Sequence, residues 1–287
     1  MSLFQNASAV EMTVGEYNAA PRLRRTAAWE RYDEGPEVFE GKHVSHTIPQ
    51  EETAAMRMGT WIHYSILEPQ VWAELASPIA ASSRRVKKWQ EHDAQCALDG
   101  RIALLKSEHD QVARITDAFR ACKRAQHWLD TADAVERTVT AEATVGGQTI
   151  GTKARLDILR GRLVADLKST SDPTPRGFAK SVADYGYWYQ AAWYLGHEAA
   201  LRGCDIADLA FAAIAVEKTA PFRVAIYELG PDWWGPGVDA VRWTLEQLAH
   251  EQETNTWASE WNGRPTMLIP PNWLKASVQE RIGGAGC

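Results

Sequence analysis

Two periodicities divide the chain. Over 107–129, Val112, Ile115, Ala118, Phe119 and Cys122 recur at the spacing of one helix face, which predicts a long helix there. From Glu136 to Val145 the period becomes two. Val135, Arg137, Val139, Ala141 and Ala143 fall on one face and Glu136, Thr138, Thr140 and Glu142 on the other, so this segment reads as a strand turned by Gly146-Gly147. Strands at 150–159 and 163–168 follow around a short Arg160-Gly161-Arg162 turn, then a helix over 175–202, strands near 208–217 and 222–229, and a last helix from Asp232 to about 252. The part before the first strand reads as mostly helical. Thr13 and Glu16 form a capping-box pattern for a helix that runs to about Trp29, broken at Pro21, and a second helix covers 52–67, ended by Glu68-Pro69. Helices, three strands, helix, two strands, helix predict an α/β fold with a mixed central sheet flanked by helices. A single domain over 1–287 is expected: a helical part (1–130), a sheet-bearing part (131–275) and a loose tail (276–287).

Composition narrows the class. Hydrophobic residues are 45% and charged ones 24%, an ordinary globular balance that excludes a mainly disordered chain. No apolar run approaches the roughly 18 residues of a membrane span, and no basic start precedes an apolar stretch, so a cytoplasmic protein with no membrane partner is expected. The net charge of −6 argues against a surface coated by nucleic acid, but a basic groove fits inside an acidic exterior. Cys96, Cys122, Cys204 and Cys287 show no CxxC spacing, which speaks against a zinc site or an iron–sulfur cluster.

The chemistry concentrates in the hairpin. With 160–162 as the turn, Leu159 pairs with Leu163 and Asp157 lies opposite residue 165, within one position of Asp166. A small register shift or bulge would put both carboxylates on one face, and alternation puts Lys168 on the face of Asp166 and Leu167 in the core. Two carboxylates ~4 Å apart repel by ~4 kcal/mol at an effective dielectric near 20. Such a pair shares a proton or binds a cation. A hard cation such as Mg²⁺ takes carboxylates, water and substrate phosphate oxygens, and Lys168 beside it could orient or deprotonate an attacking water. A strand ending in solvated charges is the other reading of Asp-x-Lys. Gly59 and His63, and Tyr187, Gln190 and Tyr194, each share a helix face. Taken alone, these also fit a core histidine and an amphipathic helix.

In order, Gly-x3-His, Glu136, Gly-x3-Arg-x-Asp, Asp-x-Lys and Gln-x3-Tyr resemble the PD-(D/E)xK nuclease superfamily in its RecB-like form. The closer resemblance is to the nuclease domain of RecE-type phage and prophage recombination exonucleases. It rests on Met58-Gly-Thr-Trp-Ile-His63 through Leu67-Glu68-Pro69, Glu136-Arg-Thr-Val139, Arg155-Leu-Asp157, Asp166-Leu-Lys-Ser-Thr170, the Tyr185–Tyr194 segment and a closing Leu268–Trp273 segment. Leu156 stands where the family usually has proline, and the iron–sulfur cysteines of related nucleases are absent.

The resemblance implies a restriction-endonuclease-like fold and metal-dependent phosphodiester hydrolysis that releases 5′-phosphorylated nucleotides. It implies 5′→3′ action on linear duplex ends, leaving 3′ overhangs for strand annealing. Single-strand-specific or endonucleolytic cleavage, or an inactive DNA-binding domain, are its alternatives. By the same analogy Asp157, Asp166 and the Leu167 carbonyl hold Mg²⁺ (or Mn²⁺), with His63 as a further ligand. Lys168 is the catalytic lysine, Glu136 binds or orients metal-bound water, and Gln190 and Tyr194 position the strand or the lysine. A ring-shaped trimer or tetramer and a single-strand annealing partner of RecT type are implied as well. Candidate DNA contacts are Arg22, Arg25, Lys153, Arg155, Arg162, Arg176 and Lys180. Thr13, Arg22 and Arg25 are candidates for a 5′-phosphate pocket.

Overall fold

A computed structural model describes residues 2–265 and 267–269. Its elements are β1 Gln5–Val10, α1 Val14–Ala19, β2 Leu23–Arg24, α2 Arg25–Asp33, α3 Pro36–His43, α4 Ala54–Leu67, α5 Pro69–Leu75, β3 Ala76–Ile79, α6 Lys87–Leu98 and β4 Ile102–Leu105. After them come α7 Lys106–Ala121, α8 Lys123–Asp130, β5 Ala134–Val145, β6 Gln148–Arg160, β7 Leu163–Thr170, α9 Pro175–Asp184, α10 Tyr187–Arg202, β8 Ala210–Glu217, β9 Val224–Glu228 and α11 Pro231–Thr254.

The central sheet runs β1-β5-β6-β7-β8-β9, with β2 paired to β6. Its ladders are antiparallel except β7–β8 and β2–β6, which are parallel. The β7–β8 connection passes through α9 and α10. On that face Leu156, Val164, Phe211 and Ala213 pack under Trp193 and Leu195 of α10 and Leu245 of α11. On the other face Ile158, Leu167 and Ile214 meet Ile62 and Ile66 of α4, Ile115 and Phe119 of α7 and Trp128 of α8. The result is the expected mixed α/β sandwich of helices on both sides of one sheet. Among the described residues, no helix is long and apolar enough to cross a membrane.

Local chemistry sets the boundaries. Thr13 and Glu16 close the capping box of α1, Thr53 caps α4 by accepting the Met56 N–H, and Thr174 caps α9 ahead of Pro175. Gly146 and Gly147, both at positive φ, make the β5–β6 turn.

Several expectations are corrected. The N-terminal part is not only helical: β1 is an edge strand of the central sheet, β2 pads β6, and β3 with β4 forms a separate parallel pair. The Gln5–Val10 strand is polar and largely exposed, so it carries no apolar alternation to read. The helix expected over 107–129 breaks at Cys122, whose ψ is 94°. The helix expected over 175–202 breaks at Gly186, which takes a φ of +63° with the Trp29 ring 2.6 Å from where a methyl would stand. The β6–β7 turn holds two residues, not three, because Arg160 pairs with Leu163. Pro270–Trp273 of the closing segment and the expected 276–287 tail lie outside the described residues.

Candidate active site

Strands β6 and β7 part where their carboxylates meet. Pairing runs from Arg160–Leu163 to Ile158–Ala165 and stops. Asp157 and Asp166 occupy the next position, so the two-residue turn sets them opposite each other with no register shift. There the Asp157 Oδ2 accepts the Leu167 N–H at 2.7 Å in place of a main-chain bond. β7 continues against β8, while β2 takes the same edge of β6 farther back, at Thr152 and Lys153. The sheet is therefore forked, with an unpaired stretch of β6 between its tines.

β5 and β6 also change sides at this level. Val139 and Leu156 pack toward α10, but Val135 and Ile158 pack toward α4 and α7. The change falls at Glu136, which has a φ of +53°, a rare state for a residue with a side chain. It breaks the alternation expected for Val135 and turns Glu136, with Asp157, toward α4.

His63 of α4 completes this half of the site. Its Nδ1 lies 3.6 Å from Asp157 Oδ2 and 3.9 Å from Glu136 Oε1, and its Nε2 contacts the Leu167 carbonyl oxygen at 2.8 Å. Ligand-type atoms of His63, Glu136 and Asp157 all fall within 4.8 Å of one another. Burial and the neighbouring Asp166 charge push the Asp157 carboxyl up to about 8. Burial draws the His63 imidazole down, yet Asp157 and Glu136 more than offset it and hold its pKa at about 9. Burial also opposes ionisation of Glu136, but His63 and Arg155 keep its pKa below the usual carboxylate value. One imidazole, two carboxylates and a carbonyl form a donor set suited to a divalent cation. Gly59 gives no tight approach: a methyl there would stand 3.6 Å from Ser169 Oγ, an ordinary contact.

The other half of the fork is already paired. Asp166, 1% exposed, accepts the Gln190 Nε2–H on Oδ1 at 2.7 Å. Its Oδ2 faces the Lys168 ammonium at 2.5 Å as an ion pair and accepts no hydrogen bond. Arg25 donates to Gln190 Oε1 at 3.1 Å, which fixes the amide's orientation toward Asp166. The Lys168 ammonium lies 4.8 Å from the centre of the Tyr187 ring. Asp166, expected as a ligand beside Asp157, is thus held by Gln190 and Lys168 and stands outside the three-residue cluster. Tyr194 lines the cavity with His63, Glu136, Asp157, Arg24 and Arg25; its volume is about 210 Å³.

The expected DNA contacts divide. Arg25 and Arg155 reach the cavity, but Arg155 is spent on carboxylates: its Nε bonds Glu136, its NH2 lies 3.5 Å from Glu68, and its NH1 donates to the Met12 carbonyl. Lys153 is 2% exposed and donates to the Tyr17 and Ala20 carbonyls, so it anchors the α1 segment and is no surface contact. Arg162 pairs with Asp208 beside the hairpin turn, Lys180 pairs with Asp184, and Arg176 is exposed on α9. Arg22 donates to the Ala141 carbonyl at 3.1 Å. Arg24, which the sequence groups with Arg22 and Arg25 as a basic candidate, lines the cavity as well, whereas the sequence assigns no role to Glu68 or to the contact of Tyr187 with Lys168. Glu68 could have been found, since the Leu67-Glu68-Pro69 segment ends the helix that carries His63.

The model of a "PDDEXK-like domain of unknown function (DUF3799)" matches residues 35–262. A crystal structure of a "putative exonuclease" from Eubacterium rectale overlays 93% of this chain and 98% of its own with a TM-score of 0.61 at 12% identity, a likeness of fold alone. The crystal structure of SSO0001 shares 15% identity over 83% of this chain and 88% of its own, with a TM-score of only 0.29. No curated protein matches the sequence.

Proposed function

The chain belongs to the family of PDDEXK-like domains designated DUF3799, and from that premise we propose that it is a divalent-metal-dependent nuclease whose centre is the β6–β7 fork. The observation that carries this reading is the convergence of His63, Glu136 and Asp157 opposite the Asp166–Lys168 pair. His63, Glu136, Asp157 and the Leu167 carbonyl would hold the cation, with Asp166 at its border. When bound, it supplies Lewis acidity toward a phosphate oxygen and lowers the pKa of water. Lys168, two residues from Asp166 on the same face, orients the attacking water and balances charge on the phosphate. Gln190 keeps Asp166 in place, and Arg25 keeps Gln190 in place. Arg155 holds Glu136 toward the cluster.

The finer reading is a Mg²⁺-dependent exonuclease, 5′→3′ on linear duplex DNA, releasing 5′-phosphomononucleotides in the cytoplasm. With it go a ring of three or four copies and a RecT-type annealing partner. Its support is the RecE-like motif order over 56–69 and 151–195. The test is linear duplex labelled separately at its 5′ and 3′ ends, run beside covalently closed circular duplex, with and without Mg²⁺. Early release of the 5′ label with the circle intact is expected. Cleavage of the circle would replace the exonuclease reading with an endonuclease, and early release of the 3′ label would reverse the polarity.

A further inference from the structure

The cavity at the fork, at about 210 Å³, is smaller than the 300–1,000 Å³ typical of sites that enclose a drug-sized ligand. It has room for a phosphate and its surroundings, so the rest of a polymeric substrate must lie outside it. Two troughs adjoin it. One, of about 540 Å³, joins through Arg155 and is lined by Glu11, Glu16 and Glu68. The other, of about 760 Å³, joins through Arg24 and is lined by Arg22, Arg24, Lys42, His43, His46 and Lys153, with no carboxylate in its wall.

The charges in this second trough differ in how far they are compensated. Lys42 and His43 rest on Glu30 behind the wall, at 3.2 and 2.5 Å. Arg22 donates to the Ala141 carbonyl and Arg24 to Gln50 Oε1, both neutral acceptors. Lys153 is 2% exposed and its hydrogen bonds go to the carbonyls of Tyr17 and Ala20. A buried ammonium without a counter-ion is costly, and burial with the nearby Arg24 charge lowers its pKa. Arg22 and Arg24, two accessible cations with neutral partners above the buried Lys153 ammonium, on a chain of net charge −6, mark a place kept for an anion from outside.

We infer that the trough between Arg22, Arg24 and the Lys42–Gln50 segment holds, by its phosphates, a single nucleic-acid strand running into the fork. The trough on the Arg155 side, with Glu11, Glu16 and Glu68 in its wall, disfavours that strand. A volume of about 760 Å³ admits a short stretch of single strand rather than a duplex. The inference rests on the nuclease reading for the class of ligand and goes beyond it in naming the path.

The test is the affinity of the full chain for a fluorescein-labelled single-stranded oligodeoxynucleotide in EDTA, over a salt series. Arg22→Glu is expected to weaken binding about tenfold or more and to reduce the salt slope by about 0.7, the value of one lost contact on a single strand. Arg22→Gln is expected to fall between that variant and wild type. Hydrolysis of a small diester, thymidine 5′-(4-nitrophenyl phosphate), with Mg²⁺ is measured on wild type as a separate reading of the metal cavity, which Arg22 does not line. Unchanged oligonucleotide affinity in both folded Arg22 variants would overturn the inference, as would an equal loss on Glu11→Gln in the acidic trough. A wild type that cleaves neither substrate, yet binds in an Arg22-dependent way, would sink the nuclease reading and leave the path standing.

Discussion

Asp157 and Asp166 sit opposite each other in register and yet in opposite circumstances. Asp157 shares its half of the fork with Glu136 and the imidazole of His63. Its pKa is pushed up to about 8 by burial and by the Asp166 charge. Asp166 is satisfied by Gln190 on one oxygen and faced by Lys168 at the other. The first half is carboxylate-rich and gains from an added cation. The second has its own cation and is already set. The two halves face each other across one strand-to-strand step, and the splaying of β6 from β7 keeps them apart. A carboxylate removed from water needs a close cation, and Asp166 has the Lys168 ammonium at 2.5 Å where Asp157 has only the His63 imidazole at 3.6 Å.

Replacing one member of each half tests this division. Lys168→Ala should lower single-turnover hydrolysis by about a thousandfold, within the range for loss of a general acid–base group. Its Mn²⁺ affinity, by titration calorimetry, should change only a few-fold. Asp157→Asn should weaken Mn²⁺ binding at least about a hundredfold, more than the usual loss of a supporting group. Its metal-free melting temperature should not fall, because the amide oxygen can still accept the Leu167 N–H. If Asp166→Asn removed metal binding and Asp157→Asn did not, the division of labour would be reversed.

Smaller effects sharpen the same contrast. His63→Ala should weaken metal binding about tenfold while oligonucleotide affinity in EDTA holds. Equal loss of both would make His63 a structural residue. Gln190→Ala should lower kcat roughly tenfold by freeing Asp166 and Lys168, with Mn²⁺ affinity nearly constant. Tyr187→Leu should cost only a few-fold in kcat, the size of a single cation–π contact at about 0.5–1 kcal/mol.

The hairpin was legible because its pattern is local. Period-two alternation marks β5–β7, and Asp157, Asp166 and Lys168 stand out as charges inside apolar strands. The fold class followed from element order. What stayed hidden depends on distant partners. β1 is polar and owes its place in the sheet to β5, more than a hundred residues on. The change of side at Glu136 needs a positive φ that no periodicity announces. Lys153 and Arg155 look like DNA contacts in sequence, yet the first spends its ammonium on α1 carbonyls and the second on two glutamates. Nothing in a linear pattern separates a basic residue that meets a phosphate from one that meets a carbonyl more than a hundred residues away.

The central claim is that the β6–β7 fork is a metal-dependent phosphodiester-hydrolysing centre. The most direct measurement is degradation of linear duplex DNA by wild type and Lys168→Ala, each with Mg²⁺ and with EDTA. The account predicts degradation by wild type with Mg²⁺ alone, and none by the variant although it stays folded and still binds Mn²⁺. Degradation at the wild-type rate by Lys168→Ala, or by wild type in EDTA, would contradict it.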